Sequence, residues 1–197
     1  MAELIKYSGE GTSFDGYVSQ SYSSTSWATI RAAGGDGSAF GTATLLQTMN
    51  SSTTTNGWQF FRRIIIGFDT SSLGAGATVT GAVLSVVFIS VGLNNFTDDV
   101  SIVHPNPASD GSGAHGDYDS FDGLPGAMTK QAADKAVSSL ENSSYTNWTL
   151  NATGEGNINK TGTTFFGIVA GYDADNNEPS WSSDDSTSIT WAAEETS

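Results

Sequence analysis

Asp173, Asp175 and Asn177 alternate along the segment DADNN, and Asp184 follows after a short interval. Counted as a calcium loop they fall at about positions 1, 3, 5 and 12. Oxygen donors in that pattern suit a hard cation, so these four residues are the candidate Ca²⁺ ligands. Glu178 stands where such a loop needs glycine, and no helical pattern flanks the segment. The alternative is an ordinary acidic loop between strands. No other cofactor is indicated.

The remaining carboxylates fall into groups at Asp98–Asp99, at Asp117, Asp119 and Asp122, and at Asp184–Asp185. A pair of carboxylates can act as acid and base in glycoside cleavage, provided their separation is fixed. Each group here sits among Gly and Ser, where aspartate commonly forms turns. His104 and His115 are the only histidines, and His104 precedes Pro105, which favours extended backbone. No Ser-His-Asp or His-x-x-x-His spacing occurs, so neither nucleophilic catalysis nor zinc has a signature. The chain reads as a non-enzyme. Trp27, Trp58, Trp148, Trp181 and Trp191 could stack on sugar rings. Trp27, Trp58 and Trp148 lie in strand-like patterns that favour burial. Trp181 follows Pro179 in a loop and is the candidate glycan or partner contact.

The elements that would hold these residues read mostly as strands. Alternating or continuous apolar runs predict strands over 13–20, 27–32, 42–49, 58–69, 78–90, 100–104, 146–150, 163–171 and 188–192. The run Ile64-Ile65-Ile66 does not alternate, which implies burial on both faces. Gly81 suggests a bulge in the strand over 78–90. The short connection from 70 to 76, rich in Ser, Thr and Gly, suggests that the strands on either side pair antiparallel. Asp69 is placed to bond local amides of that turn. Helix is expected over 129–140 (TKQAADKAVSSL), with a single turn over 152–159. The fold class is all-β: an antiparallel two-sheet jelly-roll sandwich with one or two short helices, in a single domain over 1–197.

Composition narrows the function. The net charge of −14 opposes binding to nucleic acid and suits solubility. There is no cysteine, so disulfides and thiolate metal sites are excluded. No apolar stretch is long enough to span a bilayer as a helix, and the first residues carry no basic and apolar export pattern, so no membrane partner is expected. Sequons such as Asn95-Phe96-Thr97 and Asn147-Trp148-Thr149 are read as chance in a Ser/Thr/Asn-rich chain.

Six blocks together resemble a known module: WATIR (27–31), RIIIGFDTSSLGAGATVTGAVLSV (63–86), SIVHPNPAS (101–109), DYDSF (117–121), YTNWTLNATGEGNINKTG (145–162) and NNEPSWSS (176–183). It is the jelly-roll module of tailed-bacteriophage structural proteins, similar to the DNRLRE or disaggregatase-related group that includes carbohydrate-binding modules. The resemblance implies a structural virion protein, either a capsid decoration protein on the particle exterior or a fibre component. The implied partners are other virion subunits, through self-association or contact with the major capsid protein. The alternative it implies is a carbohydrate-binding module or receptor-binding protein that recognises surface glycans. Related modules run on into one more strand, whereas this chain stops at Glu194-Glu195-Thr196-Ser197. The expectation is an open sheet edge, filled by a neighbouring subunit or by residues 4–7 (LIKY).

Overall fold

The computed structural model describes residues 4–5, 15–41, 44–93, 99–108 and 113–192. Asp98, the sequon at 95–97, residues 6–7 of the LIKY segment and the last acidic residues lie outside these. Strand accounts for 46% of the structure and the three helices have five residues each, so the protein is all-β. Among the described residues no helix is long and apolar enough to cross a membrane.

The strands are β1 (Gly16–Thr25), β2 (Gly37–Phe40), β3 (Thr44–Ser51), β4 (Trp58–Asp69) and β5 (Val83–Leu93), then β6 (Asp99–Val103), β7 (Lys135–Ala136), β8 (Ser144–Thr149), β9 (Thr163–Ala170) and β10 (Ser186–Ala192). All pair antiparallel, in one sheet curled into a half-barrel with the order β7-β6-β9-β4-β3-β10-β5-β8. β1 lies along the free side of β4 and carries β2.

β4 is the fork of this sheet. Its first half pairs with β3, up to Thr48↔Arg62. From Ile64↔Ile168 onward it pairs with β9 instead. The two arms diverge there and fold back over each other. Between them lies one core that contains Ile64, Ile66, Phe166, Ile168, Trp148 and Trp191. A second core lies on the other side of β4, where Phe61 and Ile65 meet Val18, Trp27, Trp58, Tyr118 and Val169. With a side-chain period of two, the triple isoleucine serves both cores, and all three residues are at most 2% exposed. Phe68 is only half-buried, at the rim of the first core.

Four expectations need correction. Residues 27–31 form helix α1 (Trp27–Arg31), not a strand. Ser26 caps it, its Oγ accepting from the Thr29 N–H, and the buried set Trp27, Ile30, Arg31 follows helical spacing. Residues 129–140 are not an α-helix. They run extended, with bridges Val103↔Lys130 and Ala132↔Leu150, then β7 and a 3-10 turn at Val137–Ser139. An alanine-rich segment has no apolar stripe to hold a helix on the core, so cross-strand bonding prevails. Strands β4 and β5 do not pair. Residues 70–82 carry the chain from one arm to the other and are pinned midway by Thr70 N–H to Gly162 O and Gly74 N–H to Lys160 O. Gly81 precedes β5, and the bulge falls within β5 at Ile89, between the pairs Thr190↔Ser90 and Trp191↔Phe88. The expected single turn appears as α2 (Ala152–Gly156), capped by Asn151, and Asp69 Oδ1 accepts from Ser71 N–H as anticipated.

β10, the last described strand, is not at an edge: β3 and β5 flank it. Leu4 and Ile5 are exposed.

Candidate functional site

The densest polar constellation is buried. Arg31 ends α1, Arg63 lies on the second-core face of β4, and Asp173 belongs to α3 (Gly171–Asp175), which follows β9. Their side chains are at most 5% exposed. Arg63 grips the carboxylate with two parallel bonds, Nε to Oδ2 at 2.7 Å and Nη2 to Oδ1 at 2.9 Å. Arg31 Nε reaches the same Oδ1 at 2.9 Å.

The remaining donors go to carbonyls and an amide. Arg31 donates to Pro125 O, Gly126 O, Asp173 O and Asn176 Oδ1. Arg63 donates to Tyr118 O and Arg31 O. Its guanidinium carbon also lies 4.0 Å from the Tyr118 ring centroid. Tyr118 in turn donates to Ile30 O.

Burial alone would push the Asp173 carboxyl up, but Arg63 and then Arg31 outweigh it and hold it below the usual carboxylate range. Burial likewise opposes the charge on Arg63, and the facing Asp173 more than compensates. Burial pushes the Tyr118 hydroxyl up, against the pull of Arg63. With all five donors of Arg31 and four of Arg63 engaged and solvent excluded, this cluster can hold α1, α3, β4 and the loop through Tyr118 and Pro125 in one arrangement. It has no open position for a reacting atom.

The four candidate Ca²⁺ ligands are not brought together. Asp173 faces two guanidiniums. Asp175 lies 2.6 Å from Lys130 Nζ, which also binds Asp134. These carboxylates raise the Lys130 ammonium against the effect of its burial. Asn177 is exposed, as is Asp184, which takes a left-handed turn at φ 53°. Among the described residues no group of three or more His, Asp or Glu side chains is arranged to hold a metal.

The aspartates between 117 and 122 are likewise dispersed. Asp117 is buried and its two oxygens accept from Ala108 and Ala114 N–H. Asp122 binds His104 Nδ1 at 2.7 Å. Asp119 is exposed.

The tryptophans are structural. Trp27, Trp58 and Phe61 pack edge to face with centroids 4.9–5.8 Å apart. Three indole N–H groups tie the 176–181 loop down: Trp27 to Asn176 Oδ1, Trp58 to Glu178 Oε1, and Trp181 to Gly57 O. Trp181 is therefore half-buried and engaged, not a free ring. Trp148 and Trp191 are closed inside the half-barrel.

A further cation is held by aromatic rings. Arg62 projects from β4 on the face opposite Arg63. It is half-buried, with its guanidinium carbon 3.9 Å from the Tyr17 ring centroid and 5.0 Å from that of Phe60. No carboxylate answers it among the described residues. Burial lowers its pKa, and only Tyr17 acts in the other direction.

Compared with protein-family models and with curated proteins, the chain matches none. Sequence reasoning missed Arg31 and Arg63. The available signal was an arginine inside the apolar run WQFFRRIIIGFD, since a charge in a buried strand requires a buried partner.

Proposed function

We propose that the protein is a non-enzymatic structural component of a tailed-bacteriophage particle, a capsid decoration or fibre protein on its exterior, built as a two-sheet jelly roll. The observation that supports the non-catalytic part is the fate of Asp173: a buried carboxylate held below its usual range is spent on a closed internal clamp. Catalytic sites keep their perturbed groups within reach of substrate. The virion part draws on the six sequence blocks named above, and the net charge of −14 suits a particle surface. Other virion subunits would be its partners. Quantitative mass spectrometry of purified particles tests this. High copy number is expected, and absence from particles defeats the reading.

The second reading, a glycan-binding module that serves as a receptor binder, is favoured by Arg62, which lies between two aromatic rings with no carboxylate partner among the described residues. Low copy number together with saturable glycan binding would select it.

A further inference from the structure

The face that carries Arg62 has the features of a binding site. Register places Gly37, Ser19, Arg62, Thr48, Ser188 and Gly92 in one row across six strands, from β2 to β5. Directly paired residues share a face, so this row is a single cation among small neutral side chains. Phe60 and Asn50 pair in the adjacent row, and Tyr17 flanks Arg62 on the other side. The chain has 21 acidic residues against 7 Lys and Arg. Among the described residues Lys135 and Lys160 share this lack of a carboxylate partner, but only Arg62 combines it with two aromatic rings under the guanidinium.

A second observation points the same way. Thr48 is 9% exposed, and its Oγ1 is buried with no hydrogen-bond partner among the described residues. Asn50 Oδ1 and Arg62 Nε are in the same condition. Buried polar atoms are normally paired, and here three unpaired ones fall in adjacent positions on one face.

We propose that this face binds an acidic saccharide, that is, a carboxylate-bearing sugar ring within a glycan. The inference rests on the glycan-binding reading and names its ligand class. The carboxylate would take the guanidinium, which offers forked donors. Sugar hydroxyls can donate to Asn50 Oδ1 and exchange bonds with Thr48 Oγ1. The C–H face of the ring suits Tyr17 and Phe60. A neutral sugar leaves Arg62 unanswered, and a bare carboxylate such as acetate brings no donor to Asn50. Seating the ligand draws the guanidinium from over Tyr17 and frees that ring face for the sugar. The overall negative charge repels acidic glycans at long range. Recognition is therefore by contact, within a Debye length of about 8 Å at physiological salt.

The test is calorimetric and NMR titration of the whole chain with a galacturonate pentamer, a galactose pentamer and acetate. Saturable binding is expected for the galacturonate pentamer alone, with a shift of the Arg62 Nε–H resonance. Arg62→Leu should weaken it about 10- to 100-fold, the loss expected for a charge-assisted bond. Arg62→Lys should restore part of the affinity, and Asn50→Ala should weaken binding while the urea midpoint stays near wild type. Two results overturn the proposal. If the galactose pentamer binds equally, and Arg62→Leu leaves it unchanged while folded, the acidic class falls and glycan binding stands. If neither pentamer binds, the glycan reading falls too, and particle composition alone decides the structural reading.

Discussion

Replacing Asp173 by Ala leaves two guanidiniums buried without a counter-ion, a change whose cost follows from the geometry. The carboxylate accepts three charge-assisted bonds from Arg31 and Arg63, and all three side chains are at most 5% exposed. Breaking a buried pair from one side costs about 3–5 kcal/mol, because the remaining charge stays desolvated. A domain of this size has about 5–15 kcal/mol in total. For 150–250 residues, each kcal/mol shifts the melting temperature by about 2–4 °C. Asp173→Ala should therefore melt roughly 6–20 °C below wild type. Urea and thermal unfolding at pH 7, followed by tryptophan fluorescence, measure this. The effect has a pH signature. The folded Asp173 pKa lies below its unfolded value, so the unfolded chain binds the extra proton. The contribution is fully present above the unfolded pKa of about 3.9 and is lost as pH falls through the lower folded value. The gap between wild type and variant should be constant from pH 7 to 5 and close only in strong acid. A variant within about 1 kcal/mol of wild type at pH 7, the worth of an exposed pair, would refute the clamp.

Three further outcomes are expected. Ile65→Ala should cost about 2–5 kcal/mol, and Phe68→Ala less than a fully buried phenylalanine would, since Ile65 is 0% exposed and Phe68 half-buried; urea midpoints would rank them. Gly35→Ala should destabilise by about 1–3 kcal/mol, read from the melting temperature, because Gly35 has φ 79° and an added Cβ would clash with His115 O. Asn151→Ala should cost about 0.5–2 kcal/mol of stability in urea, through loss of the cap bond to Gly154 N–H.

Local physics made some of this fold readable from the chain and long-range pairing made the rest unreadable. Ile64–Ile66 announced two-sided burial because a period of two leaves no polar face in three consecutive isoleucines. Residues 27–31 misled because five residues fit alternation and helical spacing equally well; only Ser26 as a cap distinguished them. Residues 129–140 misled because propensity is a weak prior, which the contacts of Gln131 and Ala132 with β6 and Leu150 overrode. The assumption that β4 and β5 pair failed because nothing within residues 70–82 shows that the sheet forks at Arg62. Asp173 looked like a metal ligand because its partners lie 110 and 142 positions away.

Arg62 and Arg63 show how far that limit extends. They are the chain's only adjacent basic pair, and by composition they are interchangeable. The pleat sends their side chains to opposite faces. Arg63 enters the second core, where α3 delivers a carboxylate and the charge becomes a fastening. Arg62 enters the face shared with β1 and β3, where its paired neighbours Ser19 and Thr48 are small and neutral and no carboxylate among the described residues reaches it. A slip of one residue in β4 would exchange the two roles, leave Asp173 facing Arg62, and turn Ile64 and Ile66 away from the inter-arm core. The burial of three isoleucines therefore fixes the register, and through the register decides which arginine is clamped in the core and which lies against Tyr17 and Phe60.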